Sequence, residues 1–272
     1  MNYLIIGGTG SLGKAIVNRL LKTNDCTIRI YSRHEQSQVE MQRELNDSRL
    51  RFLIGDVRDD KRLKRAMEGV DYVIDCAALK HVPVCEYNPI EAVRTNIDGS
   101  INVIDAAIDC GVKKLIYISS DKAVYPINIY GATKSVAEKL FIHSNIYGKD
   151  RTYFSCIRFG NFYGSSGSVI ELWQKQKETG TITITDRSMK RYFIKLDKAS
   201  EFVVDCLDKM RGGEIFIPEM QEEWIKDKAR EIAPLCKLEI IGRRGDEKLR
   251  EELWTEVEEP RIEKQEGYYV IK

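Results

Sequence analysis

The sequence predicts an α/β fold, in which a doubly wound parallel sheet carries helices on both faces and a smaller lobe follows. Short apolar runs alternate with longer segments of helical period along roughly the first 160 residues. Strands that are apolar throughout are typical of parallel sheets buried on both faces, and the segments between them are long enough for crossover helices. Right-handed crossovers then wind the sheet doubly.

Each predicted strand is followed by a predicted helix. The apolar runs predict strands at 3–6, 28–31, 52–54, 72–74, 115–119 and 154–158, and we expect the last of them to complete the sheet. The helical pattern predicts helices at 12–22, 36–45, 61–67, 90–109 and 131–147, with Asn88-Pro89 opening the fourth.

The pattern loosens beyond residue 160, where a Gly/Ser-rich stretch, an alternating Thr/Ile stretch and a charge-rich tail follow. We therefore predict a dinucleotide-binding domain over 1–160 that includes the catalytic segment. A smaller substrate-binding lobe over 161–272 follows, and some of its late elements can return to the first domain. Ligands of such folds bind at the carboxyl ends of the strands, in the cleft beside the lobe.

Composition excludes several kinds of partner. The chain has 272 residues, with 43 basic and 42 acidic side chains, so its bulk charge does not favour nucleic acid or a membrane surface. The first strand begins at Tyr3, which leaves no room for a secretion signal, and no apolar run reaches the ~20 residues of a membrane span. Seven cysteines without a Cys-x-x-Cys pair and three unclustered histidines indicate a cytoplasmic protein with reduced thiols and no metal.

Glycines 7, 10 and 13 predict a dinucleotide cradle. They lie between the first strand and the first helix, where a sharp turn lets a pyrophosphate approach the backbone and the helix amino end attracts anions. A glycine triplet can also be no more than a tight turn, but the flanking strand and helix favour the cradle. The predicted cradle residues are Gly7, Thr9, Gly10, Ser11, Leu12 and Gly13.

The end of the second predicted strand indicates which dinucleotide is bound. It carries Ser32 and Arg33 where an NAD-binding protein would place an acid, so we expect NADP, with NAD the less favoured alternative. Asp56-Val57 could fix the adenine amine, or it could be ordinary loop chemistry. The small Ala77 and Ala78 would let the cofactor lie close to the backbone.

Tyr130 and Lys134 lie one helical turn apart, so on a helix they share a face. An amine near a phenol lowers the pKa of the phenol, which would let Tyr130 take a hydroxyl proton while hydride leaves for the nicotinamide. The alternative is an exposed pair without function. The preceding dinucleotide motif favours catalysis.

Asp121 and Lys122 follow the fifth predicted strand and supply an acid beside a base. Eliminating water needs a base for a carbon-bound proton and an acid for the departing hydroxyl, and transient oxidation would create the carbonyl that makes the carbon proton labile. The alternative is a surface ion pair of little energetic value. A neighbouring amine also holds a carboxyl ionised, so burial or the cofactor must compensate.

These stretches resemble the extended short-chain dehydrogenase/reductases, and within them the UDP-N-acetylglucosamine 4,6-dehydratases of the 5-inverting type that opens the pseudaminic acid pathway. The resemblance covers most of the chain. Its matching stretches are the glycine turn, 55–59, 77–83, 120–134, 158–161 and 242–251.

The resemblance implies that Asp121 protonates the C6 hydroxyl, Lys122 removes the C5 proton, and Tyr130 with Lys134 drives oxidation at C4. Ser120 would touch the C4 hydroxyl. It also implies a UDP-sugar substrate and a homo-oligomer. The residues it places around cofactor or substrate are Lys80, Asn96, Asn161, Arg191, Arg244 and Glu247.

Two stretches depart from the pattern of this family. Ser166 stands where relatives tend to have arginine, and Gly245-Asp246 replaces Pro-Gly before Glu247. An oxidoreductase or epimerase acting on a related UDP-sugar is therefore a second hypothesis, which needs Tyr130 and Lys134 but no acid at Asp121. A protein that senses NADP without turnover is a third.

Overall fold

The computed structural model describes residues 1–22, 26–165 and 167–272, so Ser166 lies outside the described residues. The strands are β1 (Asn2–Ile6), β2 (Thr27–Ser32), β3 (Leu50–Ile54), β4 (Tyr72–Asp75), β5 (Lys114–Ser120), β6 (Tyr153–Phe159), β7 (Asn161–Tyr163), β8 (Thr181–Ile184), β9 (Lys190–Lys195), β10 (Ile215–Pro218), β11 (Gln221–Trp224), β12 (Lys237–Ile240), β13 (Ile262–Gln265) and β14 (Tyr268–Ile271).

Helices join most of these strands. They are α1 (Ser11–Leu20), α2 (Glu35–Leu45), α3 (Asp60–Met67), α4 (Val82–Tyr87), α5 (Pro89–Val93), α6 (Gly99–Asp109), α7 (Ile129–His143), α8 (Asn145–Gly148), α9 (Val169–Gln176), α10 (Leu196–Lys209) and α11 (Ile225–Ile232). Short 3₁₀ turns cover Asp121–Ala123, Lys177–Thr179 and Glu259–Arg261.

The main sheet runs in the order β13-β14-β10-β6-β5-β4-β1-β2-β3. Its pairs from β3 to β10 are parallel. Successive side chains of β1 point to opposite faces of the sheet. Leu4 packs in the core between the sheet and α3, α6 and α7, and Ile5 packs in the core between the sheet and α1 and α10. The predicted doubly wound α/β fold is confirmed.

Strand β6 does not complete the sheet, contrary to the prediction. Its outer edge would expose unpaired backbone groups, and β10 pairs with it in parallel. Strand β14 then pairs antiparallel with β10, and β13 antiparallel with β14. Periodicity failed here because these late strands are only four residues long.

Two predicted helices are interrupted. The segment 90–109 consists of α5, a π-helix at Arg94–Asp98 and α6, and the predicted helix 131–147 is α7 followed by the short α8. The second break follows from Asn145, whose side chain donates to Phe154 O at 2.9 Å and accepts from Phe154 N at 2.9 Å. Periodicity cannot register such side-chain bonds.

The elements after residue 160 divide between the main sheet and a smaller region. Helix α10 packs against α1, while β11-β9-β7 and β12-β8 form two small sheets. Their shared core surrounds the fully buried Trp173, whose indole donates to Thr183 O at 2.8 Å. This region closes one side of the cleft above the carboxyl ends of the main strands.

A buried ion cluster ties the carboxyl-terminal segment to the main sheet. Arg158 of β6, which is 2% exposed, contacts Glu138 of α7 at 2.5 Å and Glu258 at 2.9 Å. It also donates to Leu253 O at 2.7 Å. Burial would lower the pKa of Arg158, but the two carboxylates outweigh burial and raise it.

Replacing Arg158 with methionine should destabilise the fold by about 3–5 kcal/mol at neutral pH, since two buried carboxylates lose their cation. The cost should shrink below pH 4.5, because Arg158, against the effect of burial, holds the pKa of Glu258 below that value in the folded protein and the stability this provides is lost as pH falls. Urea unfolding of wild type and Arg158→Met at pH 7 and at about pH 3.5 measures both effects. Lys175→Ala, which breaks an exposed pair, should cost under about 1 kcal/mol. An Arg158→Met variant as stable as this control at pH 7 would contradict the assignment.

Candidate active site

A cavity of about 510 Å³ lies at the carboxyl ends of β1, β2, β4 and β5. It holds most of the residues predicted for the cofactor and the C4 chemistry. The predicted residues that line it are Gly7, Thr9, Gly10, Ser11, Leu12, Gly13, Ser32, Arg33, Val57, Ala77, Ala78, Lys80, Ser120, Tyr130 and Lys134.

A larger groove of about 1220 Å³, which lies elsewhere along α10, β9 and β11, contains none of the predicted site residues. Glutamates 201, 219, 223, 231 and 266 line it together with Asp205, against three lysines. Such a surface repels phosphate groups, so the smaller cavity is the better dinucleotide site.

The glycine turn has the geometry of a phosphate cradle. Gly7 has φ +73°, a conformation that favours glycine, and Gly10 N donates to Gly7 O at 2.9 Å. A Cβ at Gly13 would lie 2.6 Å from Gly7 O, so only glycine lets α1 begin this close to the strand. The amino end of α1 therefore points its N–H groups into the cavity, where a pyrophosphate would bind.

The adenosine end of the cavity carries Ser32 and Arg33. Gln38, which is 4% exposed, donates to Ser32 Oγ at 3.0 Å and to Leu53 O at 2.9 Å. Gln38 thereby fixes Ser32 so that its hydroxyl hydrogen can serve an acceptor in the cavity. With the guanidinium of Arg33 beside it, this end offers donors and no carboxylate to a ribose substituent.

Asp56 is not among the residues that line the cavity. Arg58 binds both of its carboxylate oxygens, with Nη2 at 2.7 Å, and Arg33 lies 3.9 Å away. Burial works against ionisation, but the hydrogen bonds from Arg58 hold the pKa of Asp56 below its usual value. These contacts fit the interpretation as loop chemistry, and the contact with the adenine amine stays a prediction.

The start of α7 brings the catalytic groups together. Asn128 caps the helix by accepting from Gly131 N at 2.8 Å. A Cβ at Gly131 would collide with Lys122 O, so glycine lets α7 begin directly against the Asp121–Ala123 turn. Tyr130 is consequently within hydrogen-bonding reach of Ser120.

Lys134 does not lower the pKa of Tyr130, and that expectation is wrong. Its Nζ donates to Ile118 O at 2.5 Å and lies 3.9 Å from the ring centroid of Tyr117. Burial raises the pKa of Tyr130, and the charge of Lys122 and a hydrogen bond with Ser120 offset only part of the rise. The cation that acts on the phenol is therefore Lys122.

A buried acid at the end of β4, Asp75, was missed in the sequence. Burial raises the pKa of Asp75 to about 6, and burial lowers the pKa of Lys134 to about 8, with each charge partly offsetting the shift of the other. Asp75 also accepts from Ala77 N at 3.0 Å. The sequence signal that could have identified Asp75 is a charged residue at the end of an otherwise apolar strand.

Asp121 and Lys122 are not a surface ion pair. Asp121 is fully buried, and its Oδ1 accepts from Ser120 Oγ and from Lys122 Nζ, each at 3.0 Å. Its Oδ2 is buried without a hydrogen-bond partner among the described residues. Asn161 Oδ1 lies 3.3 Å from Lys122 Nζ, so the structure brings this predicted substrate residue to the pair.

Asn96 is placed differently from its prediction. It is 1% exposed, donates to Leu79 O and Thr133 Oγ1 at 3.0 Å, and accepts from Leu79 N at 2.8 Å. Asn96 therefore holds the cavity wall at Leu79 from behind, and its place near cofactor or substrate stays a prediction. Neighbouring Lys80 does line the cavity.

Arg191, Arg244 and Glu247 also lie outside the cavity lining. The guanidinium of Arg191 donates to Lys190 O at 2.7 Å and Lys248 O at 2.9 Å. Arg244 is exposed and lies 3.8 Å from Glu247. Arg191 thus holds the backbone of the carboxyl-terminal segment, and the other two residues pair with each other at its surface.

Glu251 and Lys248 complete the cluster around Lys122, and no sequence signal identified their part in it. Glu251 Oε1 lies 3.8 Å from Lys122 Nζ, and Glu251 Oε2 lies 3.4 Å from Lys248 Nζ. Burial would lower the pKa of Lys122, but Asp121 and Glu251 outweigh burial and raise it. Only folding brings these distant parts of the chain together.

Fold and cavity define a Rossmann-type dinucleotide-binding enzyme with acid and base groups beside the cofactor cleft. The sequence profile described as polysaccharide biosynthesis protein matches residues 3–272. The chain therefore belongs to the polysaccharide biosynthesis protein family, and the resemblance to extended short-chain dehydrogenase/reductases is confirmed.

Curated relatives span nearly the whole chain. A UDP-N-acetylglucosamine 4,6-dehydratase (inverting) of Campylobacter jejuni is 46% identical over 99% of this chain and 82% of its own length. A UDP-glucose 4-epimerase of Rickettsia felis is 41% identical over 98% of this chain and 82% of its own. A Methanocaldococcus jannaschii protein described as an uncharacterized membrane protein is 47% identical over 98% and 84%.

Solved structures agree on the fold. Pen from Bacillus thuringiensis has a TM-score of 0.95 and 42% identity, over 99% of this chain and 87% of its own. DesIV, a dTDP-glucose 4,6-dehydratase from Streptomyces venezuelae solved with NAD, has a TM-score of 0.85 at 22% identity, over 93% of this chain and 88% of its own. At this identity the likeness shows the fold alone.

Within the described part of this chain, every helix is too short or too polar to cross a membrane.

Lys134→Met should stabilise the protein without cofactor while removing its redox activity. The folded state lowers the pKa of Lys134 from 10.5 to about 8, so keeping the ammonium buried at pH 7 costs about 3 kcal/mol. This cost is fully present below pH 8 and disappears as pH rises to 10.5, because the unfolded chain then also loses the proton.

Urea unfolding of wild type and Lys134→Met at pH 7 and pH 10 measures this difference. We expect the variant to be the more stable protein at pH 7 and its advantage to be mostly lost at pH 10. Equal stability at pH 7 would contradict the assigned burial penalty. Lys139→Met, on the exposed face of the same helix, is the matched control.

Proposed function

We propose that this protein catalyses the NADP-dependent 4,6-dehydration of a UDP-N-acetylhexosamine, UDP-N-acetylglucosamine, to a UDP-4-keto-6-deoxy sugar with inversion at C5. The observation that carries the proposal is the buried Asp121–Lys122 pair, which lies beside Tyr130 at the cofactor cavity and has one carboxylate oxygen unpartnered within the described residues. The 46% identical dehydratase of the same reaction supports it.

The residues present fit a bound nicotinamide dinucleotide, since side chains at Gly7 and Gly13 would fill the cradle. When bound, NADP supplies a hydride acceptor for C4 and returns the hydride to C6. Tyr130 takes the proton of the C4 hydroxyl, and the Lys122 charge and Ser120 stabilise the phenolate that this step needs.

The Asp121–Lys122 hydrogen bond supports a mechanism in which neighbouring acid and base groups are both active. Transfer of one proton from Lys122 Nζ to Asp121 Oδ1 across 3.0 Å gives a neutral amine and a carboxylic acid without changing their net charge. These are the two forms that elimination requires. Burial favours the neutral pair, whereas Asp121 and Glu251 favour the ammonium and make the ion pair the resting form, from which the proton transfer starts.

Elimination then restores the ion pair. Lys122 takes the C5 proton, the C5–H electrons form the C5–C6 double bond, and the C6–O bond breaks. Asp121 gives its proton to the departing hydroxyl, which leaves as water. The C4 carbonyl stabilises the developing carbanion, so the order of oxidation before elimination follows from the chemistry. Lys122 stands on the face that the C5 proton leaves, so inversion requires C5 to receive a solvent-derived proton from the opposite face when hydride reaches C6.

A 4-epimerase is the rival function, and the Rickettsia felis relative bears that name. Epimerisation needs Tyr130 and the dinucleotide but gives no role to a buried acid at Asp121 with an unpartnered oxygen. An NADP sensor without turnover needs neither group. Proton NMR of the product formed from UDP-N-acetylglucosamine in deuterated water separates the three, because only dehydration gives a 6-methyl signal with deuterium at C5.

Ser32 and Arg33 support NADP over NAD, because both are donors at the expected ribose position. The structure of DesIV was solved with NAD, so we propose NADP for this protein on the residues of its own cavity.

We also propose a homo-oligomer, supported by exposed apolar side chains on α4 to α7, namely Val84, Tyr87, Ile90, Ile101 and Val136. The seven free thiols support a cytoplasmic location.

Asp121→Asn and Lys122→Ala should each lower formation of the 6-methyl product by a factor of about 10² to 10⁴, because each removes a proton-transfer group. NADP affinity should stay within about twofold, since neither residue lines the cradle. Product NMR and NADP titration by fluorescence measure the two effects. Asp105→Asn is a matched control on the outer face of α6. Full dehydration by either active-site variant would refute its role.

Arg33→Ala should weaken NADP binding about tenfold and leave NAD binding nearly unchanged, because it removes a charged donor for the 2′-phosphate. Titration of both dinucleotides with the wild type and the variant measures the ratio of dissociation constants. Arg51→Ala, an exposed arginine of β3 outside the cavity, should change neither. An equal loss of both affinities would speak against NADP specificity through Arg33.

A further inference from the structure

We infer that Glu251 is a positioning residue for Lys122, which fixes the amine where it can reach C5 and couples the elimination step to the carboxyl-terminal segment 247–251. This inference rests on the proposed function, because it assigns Lys122 the C5 proton. It adds a residue that acts through Lys122 and touches neither cofactor nor C4.

The geometry points to Glu251 as a residue that holds the Lys122 amine in place. The carboxylate of Glu251 is 4% exposed, and its two oxygens face two lysines, Lys122 at 3.8 Å and Lys248 at 3.4 Å. Its Oε2 is buried without a hydrogen-bond partner among the described residues. A carboxylate serving stability alone would be expected to have its hydrogen bonds satisfied.

Lys248 connects the same carboxylate to the catalytic turn. Its Nζ donates to Val124 O at 2.6 Å, directly after the Asp121–Ala123 turn. Arg191 holds the backbone of Lys248 from the opposite side. The segment that carries Glu251 is therefore fastened both to the catalytic turn and to β9, so a small shift of this segment would move Lys122.

The charges around Lys122 define what loss of Glu251 should do. Asp121, Glu251, Arg191 and Tyr130 act on its amine, and Asn161 accepts from it. Lys122, Lys248 and Arg191 face two carboxylates, Asp121 and Glu251. Removing the charge of Glu251 makes the surroundings of Lys122 more positive, which favours release of a proton from Lys122.

Glu251→Gln keeps the shape of the side chain and removes its charge. We expect the rate of deuterium entry at C5 to fall at least tenfold at its plateau, because the amine is held less firmly. The pH at which this rate reaches half its plateau should move down by about one unit. Oxidation at C4, followed as reduced nicotinamide absorbance, should fall much less than C5 exchange, since Lys122 acts on Tyr130 only through its charge and Tyr130 keeps its hydrogen bond with Ser120.

Two further variants make the test specific. Glu252→Gln makes the same chemical change at the adjacent exposed residue and should behave as wild type in all three readouts. Glu251→Asp keeps the charge with a shorter reach, so it should restore the pH midpoint while recovering only part of the rate. If Glu251→Gln does not fold, as judged by thermal unfolding, the comparison of Glu251→Asp with wild type decides.

The outcomes separate this inference from the proposed function. If the wild type forms no 6-methyl product from UDP-N-acetylglucosamine, the proposed function fails. If the wild type forms it and Glu251→Gln matches Glu252→Gln in rate and pH midpoint, the inference is wrong. An equal loss of C4 oxidation and C5 exchange in Glu251→Gln would also overturn it, because Glu251 would then support the cavity as a whole.

Discussion

The 3.0 Å hydrogen bond between Lys122 Nζ and Asp121 Oδ1 is the interaction on which the proposed chemistry depends. It keeps an acid and a base in contact inside the protein, where one proton decides which of the two is charged. Neither group could be buried alone, because an isolated buried charge costs far more than a paired one. Lys122 thereby compensates the buried charge of Asp121, and in the proposed mechanism the same pair supplies the two forms that elimination uses.

The rest of the architecture brings other groups to this pair. Strand β5 ends at Ser120, directly before the Asp121–Ala123 turn. Because Gly131 has no side chain, α7 can start against this turn. The charge of Lys122 therefore lowers the pKa of Tyr130 and offsets part of the effect of burial. Lys134, one turn further, is held beneath the site by Ile118 O. In the proposed mechanism, oxidation and elimination therefore share Lys122, which links the two half-reactions electrostatically.

The sequence was sufficient for features that depend on local pattern. Apolar runs gave the central strands, and glycine spacing gave the cradle from Gly7 to Gly13, because both follow from neighbours in the chain. It failed where distant segments meet. The strands beyond β6, the inward turn of Asn96 and the approach of Glu251 to Lys122 depend on tertiary contacts that leave no periodic mark. Burial likewise reversed the expected pKa shift of Tyr130.

The central claim is that hydride taken from C4 returns to C6 of the same sugar while Lys122 and Asp121 remove water. The most direct measurement uses UDP-N-acetylglucosamine deuterated at C4 and follows the label by NMR in ordinary water. We predict that the deuterium appears in the 6-methyl group of the 4-keto product, as CH₂D. Recovery of the label at C4, or its loss without any methyl product, would contradict the account.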